Sequence, residues 1–356
     1  MIRATASGRL AHDLRNRGVS AWAVSALLFA FYIVLYFTEW LTPVAGALRL
    51  GSKWTLYGAL YTLAITAGGI AMLRKYGHNR YQVVRTLSVM TAQIVLAFAV
   101  PQMLVFFRRP EYYFSYLWPL KLEYLTPNYL FHLPLPIIAW SFAASLMLTP
   151  LLAIFVGKRW YCSWICGCGG LANTFGEPWR HLSGKSLRAW RFERVSIYTV
   201  LTLSVALTAL LFVSYGVGTA HPELARFAYT FQGWYGLIVA SVLAGVVGVG
   251  LYPLAGTRVW CRFFCPMAAL LGILQKAGRY RIAVKDDMCI SCGLCSKYCE
   301  MGIDVRVYAQ ANTPFTRASC VGCGLCAEVC PRGVLRLENV ARKAPQMQLV
   351  QIAGSR

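Results

Sequence analysis

The chain has 356 residues, 58% of them hydrophobic and only 13% charged, where a soluble globular chain carries roughly 25% charged residues. Its 35 Lys and Arg outnumber 13 Asp and Glu, for a net charge of +22. A set of soluble domains is excluded. A nucleic-acid-binding protein is excluded too, because the basic residues lie between long apolar runs instead of clustering on a polar fold.

Six apolar runs reach the length of about 20 residues that a bilayer-crossing helix needs. They are Ala21–Trp40, Trp54–Leu73, Thr86–Phe107, Leu135–Val156, Ser196–Tyr215 and Tyr235–Leu254, and none contains an internal Lys or Arg. The first is too extended, and its polar lead too long, for a removed signal peptide. Segments 1–20, 74–85, 157–194 and 255–280 hold 19 Lys and Arg, against 6 in the alternate loops. By the positive-inside bias this places both termini in the cytoplasm, in the cell inner membrane. The loop after the third span, EYYFSYLWPLKLEYLTPNYLFHLP, suits either an interfacial aromatic belt or a quinone-head site with Glu111, Glu123 or His132 handling protons.

The fourth span runs into GKRWYCSWICGCGGL and the sixth into GTRVWCRFFCPMAAL. Aligned without gaps they share Gly157 with Gly256, Arg159 with Arg258, and Cys162 and Cys166 with Cys261 and Cys265. The membrane core therefore reads as a duplicated two-helix unit, and sites in such proteins lie between the repeats. If each C-x3-C is helical, its thiols share one face, and two facing pairs supply four thiolates. Arg159, Arg258 and Arg262 are then expected to lower the thiol pKa values. The alternative is buried thiols at a helix interface, since free Cys behaves as a small hydrophobe. Cys168 has no counterpart in the second copy and is either a spare ligand or an inert thiol. The segment FGEPWRHLSGKS, 175–186, reads as a solvated basic loop, with a cover over the membrane-edge cysteines as the alternative.

From about residue 281 the pattern becomes soluble and rich in cysteine. Cys289, Cys292, Cys295 and Cys299 follow C-x2-C-x2-C-x3-C, and Cys320, Cys323, Cys326 and Cys330 repeat it before Pro331. This is the bacterial ferredoxin spacing, in which each run's fourth cysteine ligates the other cluster. Cys289, Cys292, Cys295 and Cys330 are expected to hold one [4Fe–4S] cluster, and Cys320, Cys323, Cys326 and Cys299 the second. Zinc sites and a disulfide scaffold do not account for the repeat. Gly293 and Gly324 suit the tight curvature, and Glu300 stands where the second run has proline. The expected fold is an all-α membrane domain of six transmembrane helices (21–280) behind a cytoplasmic tail (1–20). An α+β ferredoxin domain with two [4Fe–4S] clusters (281–343) and a terminal tail (344–356) follow.

These motifs resemble the membrane-bound polyferredoxins related to NapH, NosR and CcoG, over roughly residues 135–340. Cys261–Pro266 fits that family's C-x3-C-P motif directly. Gly167 and Cys168 depart from it in the first copy and mark a side branch. The resemblance implies NapH-like, quinol-linked electron transfer in a respiratory chain. The expected partners are membrane lipid, possible quinol, and a redox partner protein or respiratory metalloenzyme, without nucleic acid. An assembly factor that reduces a metal or thiol on such an enzyme is the alternative. Helix-borne histidines, C-x-x-C-H and nucleotide-binding motifs are all absent from the sequence, so haem and nucleotide are not expected. A transporter reading is weak, because no charge lies in the middle of the expected spans.

Overall fold

The computed structural model describes residues 10–217 and 220–340, with side chains from Gly18 onward. Residues 1–9 of the expected amino-terminal tail, the last three residues of the expected 281–343 domain and the whole of 344–356 lie outside the described residues. Six helices are long and apolar enough to cross a membrane: Gly18–Phe37, Lys53–Tyr76, Arg80–Phe106, Leu135–Phe155, Leu187–Val217 and Pro222–Gly250. They agree in number and order with the expected runs, and the protein is a multi-pass membrane protein. Large apolar side chains such as Leu27, Leu63, Met147 and Val213 stay exposed on these helices. In a bilayer such faces meet lipid, while the helix satisfies its own backbone.

Three helices begin earlier than hydropathy suggests. The fifth starts at Leu187 instead of Ser196 and the sixth at Pro222 instead of Tyr235. Hydropathy marks the part of a helix that crosses lipid, and polar residues extend the same helix beyond it. The third starts at Arg80, because the Asn79 side chain accepts hydrogen bonds from the backbone N–H groups of Tyr81 and Gln82. Arg85, expected in a loop, is therefore inside that helix, and it is buried.

The aromatic loop after the third span folds on itself. Tyr112 and Tyr124 stack with ring centroids 4.4 Å apart and form a small core with Leu130, Leu133 and Ile137. Tyr112 Oη lies 2.6 Å from Ser141 Oγ, and Tyr124 Oη accepts from Tyr113 N at 2.9 Å. Glu111, Glu123 and His132 stay exposed on this cap. Glu111 accepts from the Tyr113 hydroxyl, while Glu123 pairs with Lys121 at 3.5 Å. Glu111 and Glu123 both neighbour Tyr129, whose hydroxyl donates to Glu111 O at 3.0 Å.

The tail pairs strand β1 (Tyr280–Val284) with β2 (Leu335–Asn339), antiparallel, Tyr280 opposite Asn339 and Val284 opposite Leu335. Ile282 also exchanges both backbone hydrogen bonds with Phe315. Three short helices, Leu294–Lys297, Val305–Gln310 and Leu325–Glu328, complete an α+β unit. This unit does not hang free. Tyr81 donates to Gly322 O at 2.6 Å, Ser163 to Val321 O at 2.7 Å, and Lys158 Nζ to Ala318 O at 3.1 Å. Gln275 Nε2 reaches the carbonyls of Arg317 and Cys320, both at 3.0 Å. The tail thus packs on three basic segments, 74–85, 157–194 and 255–280, which share one end of the helical bundle.

Candidate functional site

The two cysteine runs of the tail fold alike. Ser291 and Gly322 have φ of 59° and 62°, Gly293 and Gly324 both have 77°, and Gly302 and Gly333 have 66° and 58°. Left-handed backbone at matched positions curls each run and opens a helical turn after the second cysteine. Cys299 Sγ accepts from Ile303 N and Cys330 Sγ from Val334 N, each at 3.4 Å.

The thiols gather in two crossed sets. Cys289, Cys292, Cys295 and Cys330 line one pocket, so the last cysteine of the second run stands with the first three of the first. In the other set, burial first and then the neighbouring Cys323, Cys320 and Cys299 push the Cys326 thiol up. Burial pushes Cys299 and Cys323 up to about 11. None of the thirteen cysteines is paired in a disulfide. Among the described residues no three His, Cys, Asp or Glu side chains gather closely enough for a single metal ion. Four thiols around a pocket fit a larger inorganic body, as the crossed ferredoxin pattern requires.

The two C-x3-C copies also share one geometry, and it differs from the expected single helix. Cys162 ends a short helix, Arg159–Cys162, while Cys166 begins the next, Gly167–Asn173. Cys261 lies in Val259–Phe263, and Cys265 caps Pro266–Ala277, accepting from Ala268 N at 3.4 Å. Cys166 N donates to Tyr161 O at 2.8 Å, and Cys265 N to Trp260 O at 3.0 Å, closing the same turn in both. Gly157 and Gly256, with φ of 86° and 88°, open both copies. The chain breaks helix between the thiols, yet the four thiols still converge. They are all buried within one core cluster, and Cys265 has Cys261, Cys162 and Cys166 as electrostatic neighbours.

The expected lowering by arginine comes from Arg258, acting on Cys162, Cys166 and Cys261, but at Cys162 and Cys261 burial outweighs it. Burial dominates, pushing Cys162 up to about 12 and raising Cys261 and Cys265. Only Cys166 is lowered, to about 7, because Cys168 donates a hydrogen bond to it. Cys168 is thus a direct neighbour of the site. Arg159 instead stacks over Tyr280, its guanidinium 5.0 Å from the ring centre, and Arg262 pairs with Glu193 at 2.7 Å.

Between the membrane-edge thiols and the second tail set lies a buried ionic network. Arg258 donates to Glu300 at 2.9 Å, to Asn173 Oδ1 at 2.9 Å and to Cys261 Sγ at 3.7 Å. Arg180 stands 3.7 Å from Glu300, and Arg85 reaches Asn173 Oδ1 at 3.2 Å. Burial alone would raise the Glu300 carboxyl, but Arg258, Arg180 and Arg85 outweigh it and hold the group below the usual carboxylate range. Nitrogens on all three arginines have no hydrogen-bond partner, and neither does Glu300 Oε2. Three cations around one carboxylate leave positive charge in excess, which suits anionic groups held on the adjacent thiols.

Sequence reading missed this network. Its one visible trace was Glu300 in the place of proline. Segment 175–186 proves to be a strut and no solvated loop: Arg180 is buried, and Ser183 Oγ donates to Glu300 O at 2.5 Å. The pairing that buries Arg180 comes from residues distant in sequence.

Residues 282–337 match the family model of a 4Fe-4S dicluster domain. That region is a ferredoxin-type 4Fe-4S domain. Residues 138–187 and 237–285 each match a 4Fe-4S binding domain, and each match contains one C-x3-C copy. The chain is 28% identical to YccM of Escherichia coli K12, a candidate electron transport protein, over 48% of this chain and 50% of that one. It is 29% identical to the regulatory protein NosR of Pseudomonas aeruginosa, over 47% of this chain and 23% of NosR. The methylamine utilization ferredoxin-type protein MauN of Paracoccus denitrificans is 25% identical over 45% of this chain and 56% of MauN. The chain thus spans between a quarter and just over half of the length of these relatives. No solved structure matches it.

Proposed function

We propose that this protein is a membrane-anchored electron carrier working between the quinone pool, or a membrane redox partner, and two cytoplasmic [4Fe–4S] clusters. Cys289, Cys292, Cys295 and Cys330 would hold the outer cluster, and Cys299, Cys320, Cys323 and Cys326 the inner one. Cys162, Cys166, Cys261 and Cys265 would hold a further iron–sulfur centre at the membrane edge, with Cys168 supporting Cys166. Clusters of this type supply reversible one-electron storage at potentials set by their surroundings. Both chain termini would lie in the cytoplasm, following the 19 to 6 division of basic residues.

The observation that carries this reading is the buried bridge from Cys261 through Arg258 to Glu300, which neighbours Cys299 in the chain. That bridge is itself closed to water. The chain's own part is to seat one set against the membrane domain, leave the other away from it and hold countercharge between the seated set and the membrane edge.

The test is electron paramagnetic resonance on the full-length protein in its membrane, kept anaerobic. Quinol or a membrane donor should generate reduced-cluster signals. Clusters that dithionite reduces but no membrane donor touches would overturn the reading. A deletion strain should keep its respiratory metalloenzymes fully metallated. Enzymes present but lacking metal would favour the assembly role.

A further inference from the structure

A second cavity lies at the same end of the bundle, with an empty volume of about 910 Å³ counting its mouth. Its walls come from the start of the fifth span, the helix Pro266–Ala277 and the tail loop 316–319. Five cations line it, Lys158, Arg194, Arg262, Lys276 and Arg317, against the single carboxylate of Glu193. That carboxylate is taken by Arg262 at 2.7 Å. Arg194 and Arg317 hold their guanidiniums over the Trp190 ring, 5.0 and 5.4 Å from its centre, leaving their charge uncompensated by any lining carboxylate. Ile197, Ala268, Ala269 and Met301 give the wall an apolar part, and Cys261 of the membrane-edge set reaches its inner end.

The depth of the cavity indicates which anion it takes. The fifth span has 31 residues, about 46 Å of helix at 1.5 Å per residue, whereas the hydrocarbon core is about 30 Å thick. After Arg194 the helix has no charged residue as far as Val217, so its first two turns, with Trp190 and Arg194, stand at headgroup level. Val195 and Ile273, on the two helices of the wall, keep 69% and 46% of their surface exposed, as lipid-facing residues do. A basic pocket at this level, half apolar, matches the amphipathic form of a phospholipid better than that of a free anion.

We propose that this cavity binds the phosphate of an anionic phospholipid, clamped by Arg194, Lys276 and Arg317. Because one wall is the tail loop, the lipid also ties the iron–sulfur tail to the membrane domain. The test is native mass spectrometry of the full-length, delipidated protein titrated with phosphatidylglycerol, phosphatidylcholine or inorganic phosphate. Phosphatidylglycerol should bind at least tenfold more tightly than phosphatidylcholine. The double variant Arg194→Gln, Lys276→Gln should lose that preference, and Arg194→Lys, Lys276→Arg should retain it. Both residues are exposed and outside the thiol sites, so the iron content of the variants should be unchanged, which checks their folding. Equal binding of the two lipids, or a preference untouched in the double variant, would overturn the proposal. Inorganic phosphate binding as tightly as phosphatidylglycerol would also overturn it, by assigning the pocket to a soluble phosphate compound.

Discussion

The two four-thiol sets of the tail are built from the same spacing and the same backbone turns, yet they sit in opposite surroundings. The set of Cys289, Cys292, Cys295 and Cys330 lines a pocket whose wall includes the exposed Ile290. The set of Cys299, Cys320, Cys323 and Cys326 lies under Tyr81, Gln82, Ser163 and Gln275 of the membrane domain. Local sequence dictates how a run of cysteines curls, and docking dictates which set lies against the membrane domain.

Ligand substitution should separate the two sets most strongly. Cys292→Ser is expected to lose about four irons of the tail's roughly eight and leave the docking face protected from hydrogen exchange. Cys323→Ser should lose a similar number and also raise exchange in 316–326, because its backbone carbonyl accepts from Gln82. An iron chelator should likewise empty the outer set first, giving two phases of iron release. A single phase would break the comparison.

Glu300→Gln comes next. It removes the carboxylate that Arg258 and Arg180 share, and breaking a buried pair this way costs about 3–5 kcal/mol. Thermal unfolding of the tail should show that loss, with the outer set still loaded. The glycine pair offers a finer contrast. Gly293→Ala and Gly324→Ala both force an L side chain to φ of 77°, which costs about 1–2 kcal/mol. Only at Gly324 would the new Cβ also meet the Tyr81 ring, at 2.8 Å, whereas nothing lies within 4 Å at Gly293. Gly324→Ala should therefore destabilise more, and equal losses would argue against the docked arrangement. The smallest effect belongs to Arg281→Ala, which removes the partly exposed pair with Glu338 at 3.0 Å. Such pairs contribute roughly 0.2–1 kcal/mol, which the same unfolding measurement should bear out.

Much of the molecule was legible beforehand. The six spans, the repeated C-x3-C context and the crossed ferredoxin runs are periodic or local patterns, and local chemistry is enough to read them. Helix starts at Leu187 and Pro222 were hidden because hydropathy reports contact with lipid and not hydrogen bonding. The break between Cys162 and Cys166 was hidden because a tight turn returns both thiols to the same core as a helix would.

By itself the sequence determined the number of spans, the likeness of the two halves and the residues of each thiol set, all through composition and short-range spacing. Only the tertiary structure decided which set docks on the membrane domain, that Arg258 links Cys261 to Glu300, and that Arg85 and Arg180 join them from other segments. Burial of charge depends on partners brought together from residues 85, 173, 180, 258 and 300. No spacing rule connects such distant positions; the packing of the tail on the membrane domain does.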